Sequence, residues 1–381
     1  MGIKNRKPFV PVWLFNFGPN QNCMSSTLTS VNPANGQVIG NYEAFDTAQV
    51  EKALRKSEKA FESWRKTDRR SRARTLKAIA VTLRTRKDEL AALASREMGK
   101  PYAQSIAEVE KCAFTLDFYA KHGAAQLRDE LVETDARKSY VSFQPLGTIL
   151  AIMPWNFPYW QVFRAMAPAL MAGNAMLLKH ASNVSGCALA IEDVIRKSGA
   201  PAGLFQTLLL PSDRVADLIA HPAVAAVTLT GSTEAGRKVA AIAGSYIKKQ
   251  VLELGGSDAY IILEDADLEL AAKVCVDGRL VNSGQSCVAA KRFIAVKGIR
   301  KEFEKRVVEL MESAVWGDPF EKGIKIGPMA RVDLRDQLHA QVMDTKKQGA
   351  KILCGGFVPE GPGSYYPPTV LSGVKKGMTA W

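Results

Sequence analysis

Strand and helix patterns alternate between residues 138 and 230, and this feature most limits the folds open to the chain. Four apolar strand patterns are separated by three helical patterns, in the order 138–153, 160–173, 175–182, 184–198, 205–210, 213–220 and 224–230. Such alternation is typical of parallel strands joined by crossover helices. The sequence therefore predicts an α/β fold with a Rossmann-like, doubly wound parallel sheet.

Further elements are predicted on both sides of this core. Helical periodicity covers 45–65, with Asp46 as N-cap, then 71–98 and 102–127, and the segment Gly99–Pro101 ends the second of these. Another helix follows Gly231–Gly236 and runs to Ala243. Later strand patterns at 258–263 and 291–297 alternate with helical ones at 268–282 and 300–313, which predicts a second α/β unit. A length of 381 residues agrees with two to three domains.

Composition excludes several classes of protein. Hydrophobic residues make up 47% of the chain and charged residues 23%, which rules out a disordered or fibrous protein. The net charge is +13, but no basic run is interleaved with aromatic residues, so no nucleic-acid partner is predicted. The uncharged stretch 139–163 contains Pro145, Pro154 and Pro158, which would break a membrane helix, so no membrane contact is predicted.

Cysteine and histidine spacing excludes a metal site. The six cysteines form no C-x-x-C motif, and none of the four histidines stands at ligand spacing to another. Scattered, unpaired cysteines are typical of a reducing compartment, so a cytoplasmic protein is predicted. At the start of the chain, the basic and apolar residues of 1–23 precede Met24, which opens a new segment. We interpret 1–23 as an extension upstream of the natural start.

Four short motifs combine residues that can carry chemistry. Gly231–Gly236 follows a strand and opens a helix, where backbone N–H groups can approach a phosphate. Gly284–Cys287 places a thiol just beyond a glycine-containing turn. Glu253–Gly256 places a carboxylate beside two other glycines. Pro154–Pro158 holds Asn156 between two prolines, where its amide can donate to an oxyanion. Taken singly, each also fits an ordinary turn, a buried cysteine or a surface carboxylate.

Taken together and in this order, the motifs identify a family. From about residue 29 to 380 the chain resembles the aldehyde dehydrogenase superfamily, and the run 152–184 is most similar to the bacterial succinate-semialdehyde dehydrogenases. Supporting stretches include Glu97–Pro101, Gly317–Pro319, Gly327–Met329 and Pro367–Leu371. The resemblance implies that Cys287 is the nucleophile, that Asn156 helps to hold the oxyanion, and that Glu253 activates water to hydrolyse the thioester.

The resemblance also implies binding residues for NAD or NADP. Lys179 matches the residue that bonds the adenosine ribose, and Ser182 stands where strictly NAD-dependent relatives carry an acid, so NADP should be tolerated. Ser232 matches a pyrophosphate contact and Trp155 lies against the cofactor cleft. Gly231 and Gly236 complete the set that the resemblance assigns to the cofactor.

Substrate choice is assigned to three residues. Arg164 matches the arginine that binds the far carboxylate of semialdehydes, and Trp160 and Phe163 are expected to form apolar walls of the substrate tunnel. Two positions depart from some succinate-semialdehyde dehydrogenases. Val281 replaces a second carboxylate-binding arginine, and Ala289 replaces a second cysteine that acts as a redox switch. Thiol–disulfide regulation at this site is therefore not expected.

The predicted organisation follows the family. A cofactor-binding domain covers 24–135 and 150–252, an oligomerisation strand segment covers 136–149, and a catalytic domain covers 253–381. Family members continue into a Glu-Glu-x-Phe-Gly-Pro motif, whereas this chain stops at Trp381. We therefore expect a truncated catalytic domain and a chain that folds poorly or has weak activity. A homo-oligomer is expected for the full-length family, and the truncation puts it in doubt here.

The expected activity is oxidation of an aldehyde substrate, most simply succinic semialdehyde, to the carboxylate with reduction of NAD or NADP. Three alternatives stay open at this point. Another semialdehyde or an aliphatic aldehyde could be the substrate. The chain could instead be an inactive remnant that binds nucleotide or a partner subunit. Cys287 and Glu253 could also hydrolyse esters without hydride transfer.

Overall fold

The computed structural model describes residues 27–381, so the extension predicted for 1–23 lies outside the described residues. The helices of the described part are α1 (Thr47–Trp64), α2 (Arg69–Thr85), α3 (Lys87–Met98), α4 (Tyr102–Gln126), α5 (Trp160–Met171), α6 (Ser185–Lys197), α7 (Val215–Ala220), α8 (Thr233–Ser245), α9 (Leu268–Leu280), α10 (Arg300–Glu312) and α11 (Val332–Lys347). The strands are β1 (Thr27–Val31), β2 (Val38–Glu43), β3 (Glu130–Val132), β4 (Ser139–Val141), β5 (Thr148–Met153), β6 (Ala175–His180), β7 (Phe205–Thr207), β8 (Val224–Thr230), β9 (Lys249–Glu253), β10 (Ala259–Ile262), β11 (Arg292–Ala295), β12 (Lys351–Cys354) and β13 (Val370–Ser372).

A five-stranded parallel sheet forms the centre of the fold, in the order β7–β6–β5–β8–β9. Successive residues of its strands face opposite cores. Leu150 and Leu177 pack with α1, α7 and α8, whereas Ala151 and Leu178 pack with helices α2 to α6. Both faces are therefore covered, as parallel sheets require. This confirms the predicted α/β fold with a doubly wound sheet.

The predicted helices before the sheet are confirmed in part. Asp46 caps α1 and forms a reciprocal capping box with Gln49, and Gly99 ends α3 at φ 85°. The single helix predicted over 71–98 is wrong, because the chain forms α2 and α3 with a break at Arg86. That residue leaves helical geometry at φ −104° and ψ 15°, and its guanidinium bonds Asp193 on α6 at 2.7 Å. The helical periodicity of 71–98 therefore does not show the break at Arg86, where the chain bonds α6.

The second unit follows β9 and contains less sheet. Strands β10 and β11 pair in parallel, and α9 and α10 pack against them in a third core around Ile262, Val276 and Phe303. Strands β12 and β13 pair antiparallel. The sequence did not predict α11, β12 or β13, and it also missed β9 at the edge of the main sheet.

A two-stranded hairpin of β3 and β4 lies between α4 and the main sheet. It begins at Glu130, before the boundary at 136 that the sequence assigned to the oligomerisation segment. Leu131 is 78% exposed, and Val132, Tyr140 and Val141 are also exposed. Among residues 27–381, no helix has the length and apolar character needed to cross a membrane.

Candidate active site

The loop after β5 carries Asn156 and is fixed by a buried carboxylate. Glu108 of α4 accepts hydrogen bonds from the backbone N–H groups of Tyr159 and Trp160, both at 2.8 Å, where α5 begins. A carboxylate is favourable at that end of a helix because the unpaired N–H groups and the helix dipole are positive there. Glu108 therefore sets the direction in which α5 leaves the loop.

A buried cation balances this carboxylate. The ammonium of Lys100 bonds Glu108, and both side chains are at most 2% exposed. The same ammonium lies 4.3 Å from the centroid of the Phe157 ring, inside the Asn156 loop. The sequence did not single out Glu108 as a site residue. The available signal was a glutamate on the buried face of α4, between the buried Ser105 and Cys112.

The segment before Cys287 has an unusual backbone. Asn282, Ser283 and Gly284 all have positive φ, at 57°, 54° and 75°. Two consecutive non-glycine residues in this region are strained unless their surroundings hold them there. Gly327 N–H donates to the hydroxyl of Ser283 at 2.9 Å, and the carbonyl of the Gln104 side chain accepts from Asn282 N–H at 2.8 Å. These contacts from distant segments stabilise the turn that presents Cys287.

Asn282 joins this turn to the Asn156 loop. Its side-chain amide donates to the carbonyl of Asn156 at 2.6 Å and to the carbonyl of Gln285 at 3.2 Å. The Asn156 amide also donates to the Gln285 carbonyl, at 3.0 Å. The Asn156 side chain thus bonds the backbone two residues before Cys287. One hydrogen of the Asn156 amide is used in this bond, which leaves the second for a ligand.

Cys287 differs from the other described cysteines in its exposure. It is partly exposed, whereas the other four cysteines of the described chain are buried, namely Cys112, Cys187, Cys275 and Cys354. Burial raises the pKa of the Cys112 and Cys187 thiols well above the usual range and that of Cys275 to about 11. Within residues 27–381, Cys287 is therefore the thiol best placed to react with a molecule from solvent.

A lysine stabilises the backbone on the other side of Cys287. The ammonium of Lys291 donates to the carbonyls of Cys287 and Ala289, both at 3.2 Å. Burial lowers the pKa of Lys291, and the neighbouring charge of Arg279 lowers it further. The guanidinium of Arg279 itself donates to the carbonyl of Gly284 at 3.1 Å. Sequence reasoning missed both cations, which bond the backbone before and after Cys287.

Glu253 and Arg164 lie against each other. Glu253 ends the edge strand β9, and its carboxylate is 3.5 Å from the guanidinium of Arg164, with side-chain exposures of 54% and 35%. Arg164 also donates to the hydroxyl of Thr230 at 3.1 Å. The residue assigned to the substrate carboxylate is therefore paired with the residue assigned as base. The sequence did not predict this contact.

The residues assigned to the cofactor ribose lie at the carboxyl end of β6. Lys179 is 5% exposed, its ammonium is 3.3 Å from the hydroxyl of Ser212, and burial lowers its pKa. Ser182 begins a 3₁₀ turn and is partly exposed. The amide nitrogen of Asn183 in that turn is buried and has no hydrogen-bond partner in the described part of the chain. Within residues 27–381, the Asn183 amide is thus an unused donor at this end of the sheet.

The two glycines of the turn after β8 lie in different surroundings. Ser232 caps α8, since its hydroxyl accepts from Ala235 N–H at 3.2 Å. At Gly231 an added Cβ would meet no atom closer than 3.7 Å, so the turn is open. At Gly236 an added Cβ would lie 2.6 Å from the side chain of Leu254. Gly236 therefore allows α8 to pack on the chain after β9, and it does not open the turn to a ligand.

The three aromatic residues assigned to the cleft and tunnel occupy different environments. Trp155 is partly buried against the core that Ala151 and Leu178 form with helices α2 to α6, and Trp160 is partly buried with the ammonium of Lys111 at 3.9 Å from its ring centroid. Phe163 is fully buried inside that core. Phe163 thus supports α5 from inside, and its ring offers no exposed surface to a substrate path.

The chain is similar to known proteins in both sequence and fold. The model of the aldehyde dehydrogenase family matches residues 21–381. The succinate semialdehyde dehydrogenase [NAD(P)+] of Escherichia coli strain K12 is 48% identical over 352 residues, which cover 92% of this chain and 76% of that protein. The succinic semialdehyde dehydrogenase of Streptococcus pyogenes, solved with NADP+ as the cofactor, superposes with a TM-score of 0.90 at 33% identity, covering 93% of this chain and 78% of that one. The lactaldehyde dehydrogenase of E. coli gives the same TM-score at 34% identity, covering 93% of this chain and 75% of that one.

Proposed function

The chain belongs to the aldehyde dehydrogenase family, and we propose that it oxidises succinic semialdehyde to succinate with NADP+ or NAD+ as hydride acceptor. The observation that carries the proposal is the link between Asn156 and the Gln285 carbonyl beside the partly exposed Cys287. This link supports the proposal, because an amide donor close to the backbone that leads to an accessible thiol is the pairing that attack on an aldehyde requires. The structures of a succinic semialdehyde and a lactaldehyde dehydrogenase fit equally well, so the substrate rests on sequence identity and on Arg164.

The reaction divides into two half-reactions at Cys287. Its thiolate adds to the aldehyde carbon, and the oxygen of the resulting thiohemiacetal accepts a hydrogen bond from the second N–H of Asn156. A bound NADP+ or NAD+ would supply the acceptor for the hydride that leaves this carbon, and a thioester on Cys287 would remain. Water then attacks the thioester carbon and gives one proton to Glu253, and the C–S bond breaks to restore the thiolate of Cys287. The new carboxyl group loses the second proton to solvent, so that succinate is released.

The pairing of Arg164 with Glu253 suggests how the substrate prepares the second half-reaction. In the free protein the guanidinium is 3.5 Å from the Glu253 carboxylate. The far carboxylate of the semialdehyde would compete for the same guanidinium, because Arg binds carboxylates through paired N–H donors. Substrate binding would then release Glu253 to accept a proton from water.

The residues at the carboxyl ends of β6 and β8 fit a dinucleotide. The ammonium of Lys179 and the amide of Asn183, which has no partner among residues 27–381, support this because both are donors suited to ribose hydroxyls. The N-terminus of α8 at Ser232 suits a pyrophosphate. Ser182 carries no charge and would not repel a ribose 2′-phosphate. Ser182→Glu is therefore expected to weaken the binding of NADP+ at least about tenfold relative to that of NAD+. The KM of each cofactor measures this.

The first test measures reduction of NADP+ and NAD+ by the purified chain with succinic semialdehyde. Cys287→Ser should lower kcat by about a thousandfold or more, because a hydroxyl is a far weaker nucleophile than a thiolate. Cys275→Ser is the matched control, since Cys275 is buried and outside the site. Equal activity of wild type and Cys287→Ser would overturn the proposal.

The second test addresses the substrate. Arg164→Leu should raise KM for succinic semialdehyde by roughly 10–100-fold, which corresponds to the loss of a charge-assisted bond of about 1.5–3 kcal/mol. KM for butanal, which lacks the carboxylate, should change much less. Equal changes for both aldehydes would show that Arg164 does not recognise the carboxylate.

The domain organisation and assembly are also proposed. The main sheet with α1 to α8 supports a cofactor-binding domain over 24–135 and 150–252, and the third core supports a catalytic domain over 253–381. The exposed apolar residues of the β3–β4 hairpin suit a second copy of the chain. Light scattering on the wild type and on Leu131→Lys would test this, since the lysine should favour the monomer.

A further inference from the structure

A cavity of about 820 Å³ lies at the end of the main sheet opposite the candidate active site. It is bounded by the start of α2, the residue after α4, and the segment that leads into β5. Five arginines line it: Arg65, Arg69, Arg70, Arg72 and Arg74. We call it the arginine cavity. It is remote from Cys287 because β5 begins beside it at Thr148 and runs away from it towards Asn156.

The positive charges of the arginine cavity are poorly balanced. Within the described residues, four of the five arginines have no carboxylate in ion-pair contact, and Arg65 pairs with Glu62 at 3.6 Å. Asp68 is the one acidic residue of the lining, and its carboxylate accepts from the N–H and the hydroxyl of Ser71 as the cap of α2. The cavity thus holds a net positive charge that the side chains of residues 27–381 do not neutralise.

The position of these arginines on α2 adds to the imbalance. The first turn of α2 contains no acidic residue and begins with Arg69 and Arg70. A helix N-terminus carries a partial positive charge, so cations there are unfavourable. Arg72 is only 6% exposed and bonds the carbonyls of Arg65 and Met171. Burial lowers its pKa, and the like charge of Arg69 lowers it further.

We propose that the arginine cavity binds a phosphate-bearing small molecule of nucleotide size. Guanidinium groups bind phosphate oxygens through paired N–H donors, and an anion here would relieve the repulsion among the arginines. The volume lies within the range of small-molecule sites. Phe143, which is 41% exposed, and Leu127 provide an apolar wall for the part of the ligand beyond the phosphates.

The test uses thermal unfolding with pyrophosphate and with ATP, against sodium chloride at equal ionic strength. At about 100 times Kd, ligand binding should raise Tm by about 3 °C for a chain of this length. Titration calorimetry should show ATP binding more tightly than pyrophosphate, because ATP also reaches the apolar wall. The variant Arg70→Gln/Arg74→Gln should lose the Tm shift and bind ATP at least tenfold more weakly.

Two variants make the result decisive. Arg70 and Arg74 are exposed, so the double variant should fold, and its Tm without ligand checks this. Arg55→Gln/Arg196→Gln removes two exposed arginines elsewhere and should keep the full shift. The proposal is overturned if neither probe exceeds chloride, or if pyrophosphate binds as tightly as ATP. It is also overturned if Arg70→Gln/Arg74→Gln keeps the shift while Lys179→Gln loses it, since the phosphate would then occupy the cofactor cleft.

Discussion

The main sheet and the β10–β11 pair are both parallel, but they are buried to different extents. All six residues of β6 are buried, whereas only Ile262 of the four residues of β10 is. Ile261 is 68% exposed and Ile294 is 44% exposed. The residues assigned to the cofactor lie on the first sheet, and Cys287 lies on the loop between the strands of the second. Well-packed strands thus position the residues assigned to the cofactor, while Cys287, the residue assigned as nucleophile, depends more on loop contacts.

The largest expected difference between the two sheets is in core stability. Leu178→Ala in β6 should lower the free energy of unfolding by about 2–5 kcal/mol, because the side chain is fully buried and would leave a cavity. Ile261→Ala in β10 should change it by less than about 1 kcal/mol. Urea unfolding of both variants gives the comparison. Equal losses would mean that the exposed face of β10 is covered in solution.

Low pH should lower the stability of the main sheet through His180, the last residue of β6. His180 shares a hydrogen bond of 2.8 Å with the carbonyl of Pro158, and its Nδ1 accepts from Ala181 N–H. Burial lowers the pKa of His180 to about 4, below the 6.5 of an exposed histidine. The unfolded chain therefore takes up the proton first as pH falls below 6.5. This linkage should remove about 2 kcal/mol of the free energy of unfolding between pH 7.5 and pH 5.

Urea unfolding at several pH values between 7.5 and 5 measures this effect. His180→Gln keeps a donor and an acceptor but cannot titrate, so its stability should fall less over this range. His339→Gln is the matched control in the second region, where the ring is only partly buried beside Tyr366. If wild type and His180→Gln show the same pH dependence, the histidine does not contribute.

A smaller effect is expected where the two regions meet. Gly236→Ala would place a methyl group 2.6 Å from the side chain of Leu254, so α8 or the segment after β9 must shift. We expect a loss of about 1–3 kcal/mol in the free energy of unfolding. Gly231→Ala meets no close atom and is the control. The double variant Gly236→Ala/Leu254→Ala should recover part of the loss if the overlap is its cause.

The sequence predicted elements whose apolar residues recur on one face and missed those without such a face. Helix α1 has buried residues at regular helical spacing and a capping box, and it was predicted almost to its ends. Helix α11 buries only Val342 and Thr345, and the edge strand β9 buries none of its five residues fully, so neither carries a periodic apolar signal. A periodic apolar pattern predicts an element only where one face of that element is buried. Helix α11 and strand β9 bury too few residues to produce such a pattern.

The candidate site shows the same limit. Cys287, Asn156 and Glu253 were assigned from motifs and family resemblance, and their roles stay predictions. The contacts that place them could not be derived from the sequence. Glu108 lies 51 residues before the N–H of Tyr159 that it binds, and Asn282 lies 126 residues after the Asn156 carbonyl. Local spacing contains no information on such pairs, because each is set by how separate elements dock.

The side chain of Asn282 has a consequence for how the protein can be redesigned. Its one amide group bonds the backbone of both the Asn156 loop and the Cys287 turn. Since these are bonds to carbonyl groups, they fix the two loops whatever side chains the loops carry. The residues around the reacting aldehyde could therefore be exchanged in a library while Asn282 is held constant. Such a library would vary substrate preference on an unchanged backbone frame.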